Sequence, residues 1–422
     1  MPVTAFAPLA SPAPVSGRRL GWALPPGLGW LACCYLVFAG YALAAGLLGG
    51  DAVQRWWGIG AASGYGAAAV AAGLWRSRGR DLALALALAG SIAAPLAWQQ
   101  TAGHGVATGM ESALAVVARS ARLLLVHGSP YLPAAHLTHP LSYDPYLPAM
   151  AIFGLPGALG LPGALGNPRL WSGLTAAVAL WLAFRRAIPG RALRLTAFAL
   201  GSPVLAFGIV AGDTDVPVLA LLCLALAVAS PGSTLDGASR HFRPRPVAAG
   251  LITGAACAMK ATAWPTPMVL IAMLAAGDGR RDALRYGAAA AGAFMAGVLA
   301  AAPAMLARPV SLVQNTILFP LGLTRQKTPA ASPLPGHLLA LTGAAGHWVA
   351  LALLGAAGAA VAVSLVTMPP LDVRAAVRRL VLGMTLMITL APAARWGYFT
   401  YPAGLLGWLA LTRPWPAASY SP

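Results

Sequence analysis

Charge is the scarcest property of this chain. Asp, Glu, Lys and Arg make up 9% of its 422 residues, where a soluble domain carries about 25%. An ordinary soluble enzyme is excluded by that deficit. Glutamate occurs once, at Glu111, and lysine twice, at Lys260 and Lys327. Cys33, Cys34, Cys223 and Cys257 all lie inside apolar runs without metal-ligand spacing. They read as small core residues, not as a disulfide framework or a zinc site. There is no P-loop, no GxGxxG after a strand, no GxSxG and no HExxH, so nucleotide-driven or hydrolytic chemistry has no motif to rest on. Strand-like alternation of apolar and polar residues is missing as well.

What is present is apolar. Hydrophobic residues form 59% of the chain, in runs of the length that crosses a bilayer, about 20 residues each. Ala, Leu and Gly dominate these runs, so helices are expected. The fold class is an all-α polytopic membrane protein with about twelve transmembrane helices. The net charge of +18 does not point to nucleic acid. Its arginines sit in short clusters between apolar runs, the pattern of cytoplasmic loops. With the clusters at 18–19, 76–80, 185–194, 240–245, 280–285 and 374–379 inside, both ends are cytoplasmic. Residues 1–26 are then a disordered cytoplasmic N-terminus, 27–413 one transmembrane domain and 414–422 a cytoplasmic tail. Outside lie a large loop, 99–166, and a second loop, 307–345. The topology closes if 147–166, broken by repeated Leu-Pro-Gly, is re-entrant instead of crossing.

The large loop holds Glu111, four of the seven histidines and a Tyr/Pro/Asp cluster. Residues 110–126 read as an interfacial amphipathic helix, with Glu111, Arg119 and Arg122 at spacings of 8 and 11 residues, on one side of a 3.6-residue helix. Only His136 and His139 are close together, so the histidines read as solvated loop residues and not as metal ligands. Asp213, Thr214 and Asp215 form a tight turn between two spans. Lys260 interrupts the apolar run 248–274 together with Pro265 and Pro267, which suggests two short helices with Lys260 near their turn. A charge at that depth is functional, or it snorkels to the interface, or it pairs with Asp213 or Asp215 to lock helices.

The runs ESALAVVARSARLLLVHGSPYLP and SYDPYLPAMAIFGLP resemble the first outer loop of GT-C-type, polyprenyl-phosphate-sugar-dependent glycosyltransferases, in particular the bacterial family 87 mannosyltransferase-like proteins. The matching residues are Glu111, Gly128, Pro130, Tyr131, Tyr143, Pro145 and Tyr146. AGLITGAACAMKATAWPTPMVLI resembles the family's helix ending in Lys before a Pro-containing helix, which places Lys260. APAARWGYFTYP resembles its late Arg/Tyr motif, which places Arg395 and Tyr398. Where this chain has Glu111 the family pattern has Asp, so Asp213, Asp215 and Asp144 stand beside Glu111 as candidate bases.

The resemblance implies inverting transfer of a sugar from a polyprenyl-phosphate donor to a glycan, lipid or protein acceptor, on the extracytoplasmic face of a bacterial plasma membrane. A carboxylate, among Glu111, Asp213 and Asp215, takes the acceptor proton. Arg119, Arg122, Lys260, Arg325, Lys327 and Arg395 are the candidates for the lipid phosphate. Tyr131, Tyr143, Asp144, Tyr146 and Tyr398 line the candidate substrate site. No metal is required, and a divalent cation between carboxylate and phosphate is allowed. A transporter or lipid-linked-sugar flippase is the rival reading, although the sequence carries no evident internal repeat. A non-catalytic scaffold for envelope enzymes is a third.

Overall fold

The structure, a computed structural model, describes residues 28–50, 52–74, 79–101, 112–230, 245–300 and 309–412. The expected N-terminal segment and C-terminal tail, the basic loop around Arg240, and Glu111 lie outside the described residues. Within them the chain is helical, and the single β pairing is an isolated parallel bridge, Ala331 with Ala394.

Four helices are long and apolar enough to cross a bilayer: Gly29–Leu48, Gly79–Gln99, Arg280–Ala300 and Ala344–Thr367. A fifth span forms if Pro189–Leu200 and Pro203–Ala211, bent by 62° at their junction, count as one. Pro203 opens the second half of that pair, where it cannot donate to the turn before it. Other expected spans are helical but fall short by length or composition. Pro168–Ala187 carries Arg169, Arg185 and Arg186, and Val373–Leu390 carries Arg374, Arg378 and Arg379.

The long helices are apolar yet little buried by the protein. Ala344–Thr367 buries only Ala350 and Leu365, and leaves Val363 and Val366 on the surface. Leu28–Leu48 likewise exposes Leu36, Val37, Leu47 and Leu48. Apolar surface on that scale is untenable in water and expected against lipid.

Packing divides into two cores. One joins Leu28–Leu48, Ala52–Leu74 and the helix beginning at Gly79 around Tyr35, Trp57 and Tyr65. The helices meet through glycine, Gly46 against Gly58 and Gly64 against Gly90, where a Cβ would strike the facing backbone. A π-turn at Ala89–Ala93 turns the Ser91 carbonyl toward Trp57, whose Nε1 donates to it at 2.9 Å.

The larger core is built around Asp215–Ala229. Twelve of its 15 residues are buried, so this helix is apolar on every side because it is enclosed on every side. Pro246–Met259 runs antiparallel beside it, and Pro265–Gly277 returns toward the starting end. Gly250 and Gly254 let Pro246–Met259 lie directly on the backbone of Tyr286 and Ala290 in Arg280–Ala300. Lys260 therefore stands at the turn of two short helices, as the sequence suggests. Residues 147–166 break into Pro148–Gly154, Leu155–Ala158 and Gly163–Gly166, all too short to cross as a helix.

Candidate functional site

The turn after Pro203–Ala211 creates the first part of the site. Gly212 takes φ +77°, a left-handed conformation that ends the helix at little cost only for glycine. The Asp213 N–H donates back to the Gly208 carbonyl at 2.7 Å. The Asp215 N–H donates to the Asp213 Oδ1 at 3.1 Å, a side-chain turn that fixes both carboxylates at the start of the next helix. A helix N-terminus favours negative charge there.

Lys260 approaches from the opposite strand of chain. Pro246–Met259 stops at Lys260, whose backbone is extended. Its Nζ donates to Asp215 Oδ1 at 2.5 Å and to Thr214 Oγ1 at 3.1 Å. The ammonium also lies 5.4 Å from the Tyr146 ring centroid and 5.3 Å from that of Tyr398, within cation–π range of both. Both members of the ion pair are enclosed, with side chains 9% and 2% exposed.

The stretch 131–147 is tied to this centre by its backbone. The Leu147 N–H donates to the Met259 carbonyl at 3.0 Å, one residue before Lys260. Tyr131 donates its hydroxyl to the Tyr146 carbonyl at 2.8 Å. From the C-terminal end, Tyr398 lies in the short turn Trp396–Phe399, and Tyr401 accepts a hydrogen bond from Thr262 at 2.8 Å. Four segments far apart in sequence, 144–147, 213–215, 259–262 and 395–401, thus meet at one point.

A second polar centre sits just behind it. Asp144 is 4% exposed. Ser120 Oγ lies 2.6 Å from its Oδ2, and the Tyr146 N–H donates to its Oδ1 at 3.0 Å. The Asp144 N–H donates to Asn315 Oδ1 at 2.8 Å. Burial pushes its carboxyl up to about 7, against the opposing pull of these hydrogen bonds and of Arg119. Ser120 also lies 2.8 Å from the Val116 carbonyl. One hydroxyl hydrogen cannot serve both acceptors, so the pair is fully satisfied when Asp144 carries the proton and donates to Ser120. At Asp213, burial and then the Asp215 carboxylate raise the carboxyl to about 7, in spite of Lys260.

The remaining candidates take different places. Arg119 clamps the loop, donating to the carbonyls of Leu141 at 2.5 Å and of Ser142 and Tyr143 at 3.2 Å each. Both terminal nitrogens are thus engaged by the backbone, while its buried Nε has no partner among the described residues. Tyr143 stacks on Phe319 at 4.2 Å and 5°, so this ring face is occupied by protein and not open to a sugar. Tyr131 is buried as a staple of the loop. Arg122, Arg325 and Lys327 are exposed and do not belong to the Lys260 cluster. Arg395 is exposed beside it, three residues before Tyr398.

Thr262, Tyr401, Ser120 and Asn315 carry no signal in the sequence, and Thr214 reads there only as part of its turn. Asn315 sits in a π-turn, Gln314–Leu318, that aims it into the loop. No local sequence signal distinguishes it. Among the described residues no three His, Cys, Asp or Glu side chains converge as a metal site. No protein-family model, curated protein or solved structure matches the chain.

Proposed function

We propose that this protein is a membrane glycosyltransferase that moves a sugar from a polyprenyl-phosphate donor to a glycan, lipid or protein acceptor at the extracytoplasmic face of a bacterial plasma membrane. The observation that carries the reading is the enclosed Lys260–Asp215 pair between Tyr146 and Tyr398, with Asp213 beside it. A cation between aromatic faces suits a sugar phosphate, because the ammonium binds the phosphate and the rings bind the sugar. The GT-C-like resemblance of the same segments, and about twelve spans with basic loops inside, belong to the same proposal.

In this reading the acceptor hydroxyl oxygen attacks the anomeric carbon and the bond from that carbon to the phosphate oxygen breaks. The acceptor proton passes to a carboxylate, and polyprenyl phosphate leaves with the bonding electrons. Asp213 is the preferred base. Its carboxyl is raised to about 7, where a general base works best at neutral pH. Asp215 is held by Lys260, and Asp144 is closed in by Ser120 and Tyr146. Lys260 and Arg395 neutralise the phosphate as it departs. Glu111 remains a rival base.

The test is transfer by the purified full-length protein, in vesicles, from a panel of polyprenyl-phosphate sugars. Asp213→Asn is expected to lose transfer at least a hundredfold while donor binding persists. If Asp213→Asn and Asp215→Asn both keep full transfer, the carboxylate assignment fails, and Glu111→Gln then decides whether the base lies in the first loop. Movement of the lipid-linked sugar across the vesicle without transfer would favour the flippase reading.

A further inference from the structure

A second polar feature lies at the other end of the central helix. Arg186 donates to the carbonyls of Ala227, Val228 and Ser230, at 2.6, 3.4 and 3.5 Å, where Asp215–Ala229 ends. Ala229 lies fourteen helical steps from Asp215, roughly 21 Å at about 1.5 Å per residue. The cavity there is accordingly remote from Lys260.

The cavity has a volume of about 330 Å³ and is lined by Trp181, Arg185, Arg191 and Arg194 with the Pro189–Gly190 turn and Leu193. Arg194 is fixed to Asp81 by two hydrogen bonds, 2.8 and 3.0 Å, and so forms a wall with its charge already met. Arg185 lies 5.1 Å over the Trp181 ring. Among the described residues no carboxylate comes within 4 Å of Arg185 or Arg191. Leu193, which lines the cavity, is 74% exposed, and Leu182, next to Trp181 in the chain, is 37% exposed.

We propose that this cavity binds the phosphate of an anionic membrane phospholipid, with Arg185 and Arg191 on the headgroup and the acyl chains along Leu182 and Leu193. Two unpaired guanidiniums supply forked donors for phosphate oxygens. A tryptophan beside them is the side chain expected at headgroup level. The exposed leucines argue for an amphiphile over a free anion. Basic pockets between membrane helices take anionic headgroups in this way. The site is independent of the transfer reaction proposed above.

The full-length protein in detergent is heated with dioctanoyl phosphatidylglycerol, with dioctanoyl phosphatidylcholine or with inorganic phosphate, and lipid retention is followed by native mass spectrometry. Phosphatidylglycerol is expected to raise the melting temperature and to remain bound. R185Q/R191Q is expected to weaken that binding at least fivefold, whereas R374Q/R378Q, which removes the same charge elsewhere, leaves it unchanged. A melting temperature of R185Q/R191Q near wild type without lipid shows that it folds, and R185K/R191K serves in its place if it does not. Equal effects of the two lipids, or unchanged binding by the folded double variant, overturn the proposal. Stabilisation by inorganic phosphate as strong as by phosphatidylglycerol overturns the lipid assignment in favour of a free phosphate.

Discussion

Lys260 Nζ and Asp215 Oδ1 lie 2.5 Å apart in an enclosed site, although 45 residues separate them in the chain. Neither charge is tolerable there alone. Removing one partner of a buried pair costs roughly 3–5 kcal/mol, while replacing both with apolar residues is often neutral. Lys260→Met is therefore expected to lower the melting temperature sharply. Lys260→Met combined with Asp215→Leu recovers much of that loss but no transfer activity. Thermal unfolding of the two single variants and the double variant, beside a transfer assay, separates the structural from the chemical part of the pair. Recovery of activity in the double variant would show that the pair only locks helices.

Asp144 is expected to tolerate asparagine but not alanine. An asparagine NH₂ can donate to Ser120 while its oxygen still accepts from the Tyr146 N–H, so Asp144→Asn changes stability by less than about 1 kcal/mol. Asp144→Ala strands both partners and costs about 1–3 kcal/mol. The pH dependence has a definite sign. An unfolded aspartate titrates near ~3.9, whereas the folded group titrates at about 7. Its contribution to stability is thus fully present at low pH and is lost as pH rises through 7. Melting temperatures between pH 4 and pH 8 should show this slope in the wild type and a flatter one in Asp144→Asn.

Arg119 holds three consecutive carbonyls at Leu141, Ser142 and Tyr143. Arg119→Gln is expected to cost about 1–3 kcal/mol and to open the 134–143 stretch to protease. Arg119→Lys does not restore the clamp, because a single ammonium lacks the planar fork that reaches all three acceptors. Limited proteolysis with mapped cleavage sites measures the effect. A cleavage pattern unchanged from wild type would free Arg119 for a ligand role.

The rate of transfer is expected to rise with pH and level off above about 7, as Asp213 loses its proton. At lower pH the carboxyl is protonated and cannot accept the proton of the acceptor hydroxyl. Asp213→Asn should remove both the activity and this limb of the profile. A pH–rate profile flat from 5 to 8 in the wild type would transfer the role to another group.

Much of the helical plan is legible in the residues themselves. The apolar runs at 27–49, 81–98 and 346–367 become Leu28–Leu48, the helix that starts at Gly79, and Ala344–Thr367, because apolar length and helix-forming composition are local properties. The turn at Lys260 is visible too, through a charge and two prolines in an apolar run. The span count is less legible. Pro168–Ala187 carries arginines at both ends and Val373–Leu390 at one, and both gain their burial from neighbours, not from composition.

Side-chain roles diverge further from the sequence. Arg119 looks like a ligand because it is a cation beside a Tyr/Pro-rich loop, but its reach happens to end on that loop's carbonyls. Tyr143 and Tyr146 are alike in context, three residues apart. One stacks on Phe319 and the other faces Lys260. Their local environments give no sign of this difference, since it depends on where 315–319 and 259–262 pass.

By itself the sequence determined that the chain is helical, that most of its residues are apolar, and that its few charges are concentrated in identifiable places. Only the tertiary structure decided which charges meet. Lys260 pairs with Asp215 because Pro246–Met259 runs antiparallel to Asp215–Ala229, starting where the Arg245 N–H donates to the Val228 carbonyl and ending where Lys260 meets Asp215. A buried charge has no stable state without a partner. The choice of partner depends on helix packing over distances that no local pattern encodes.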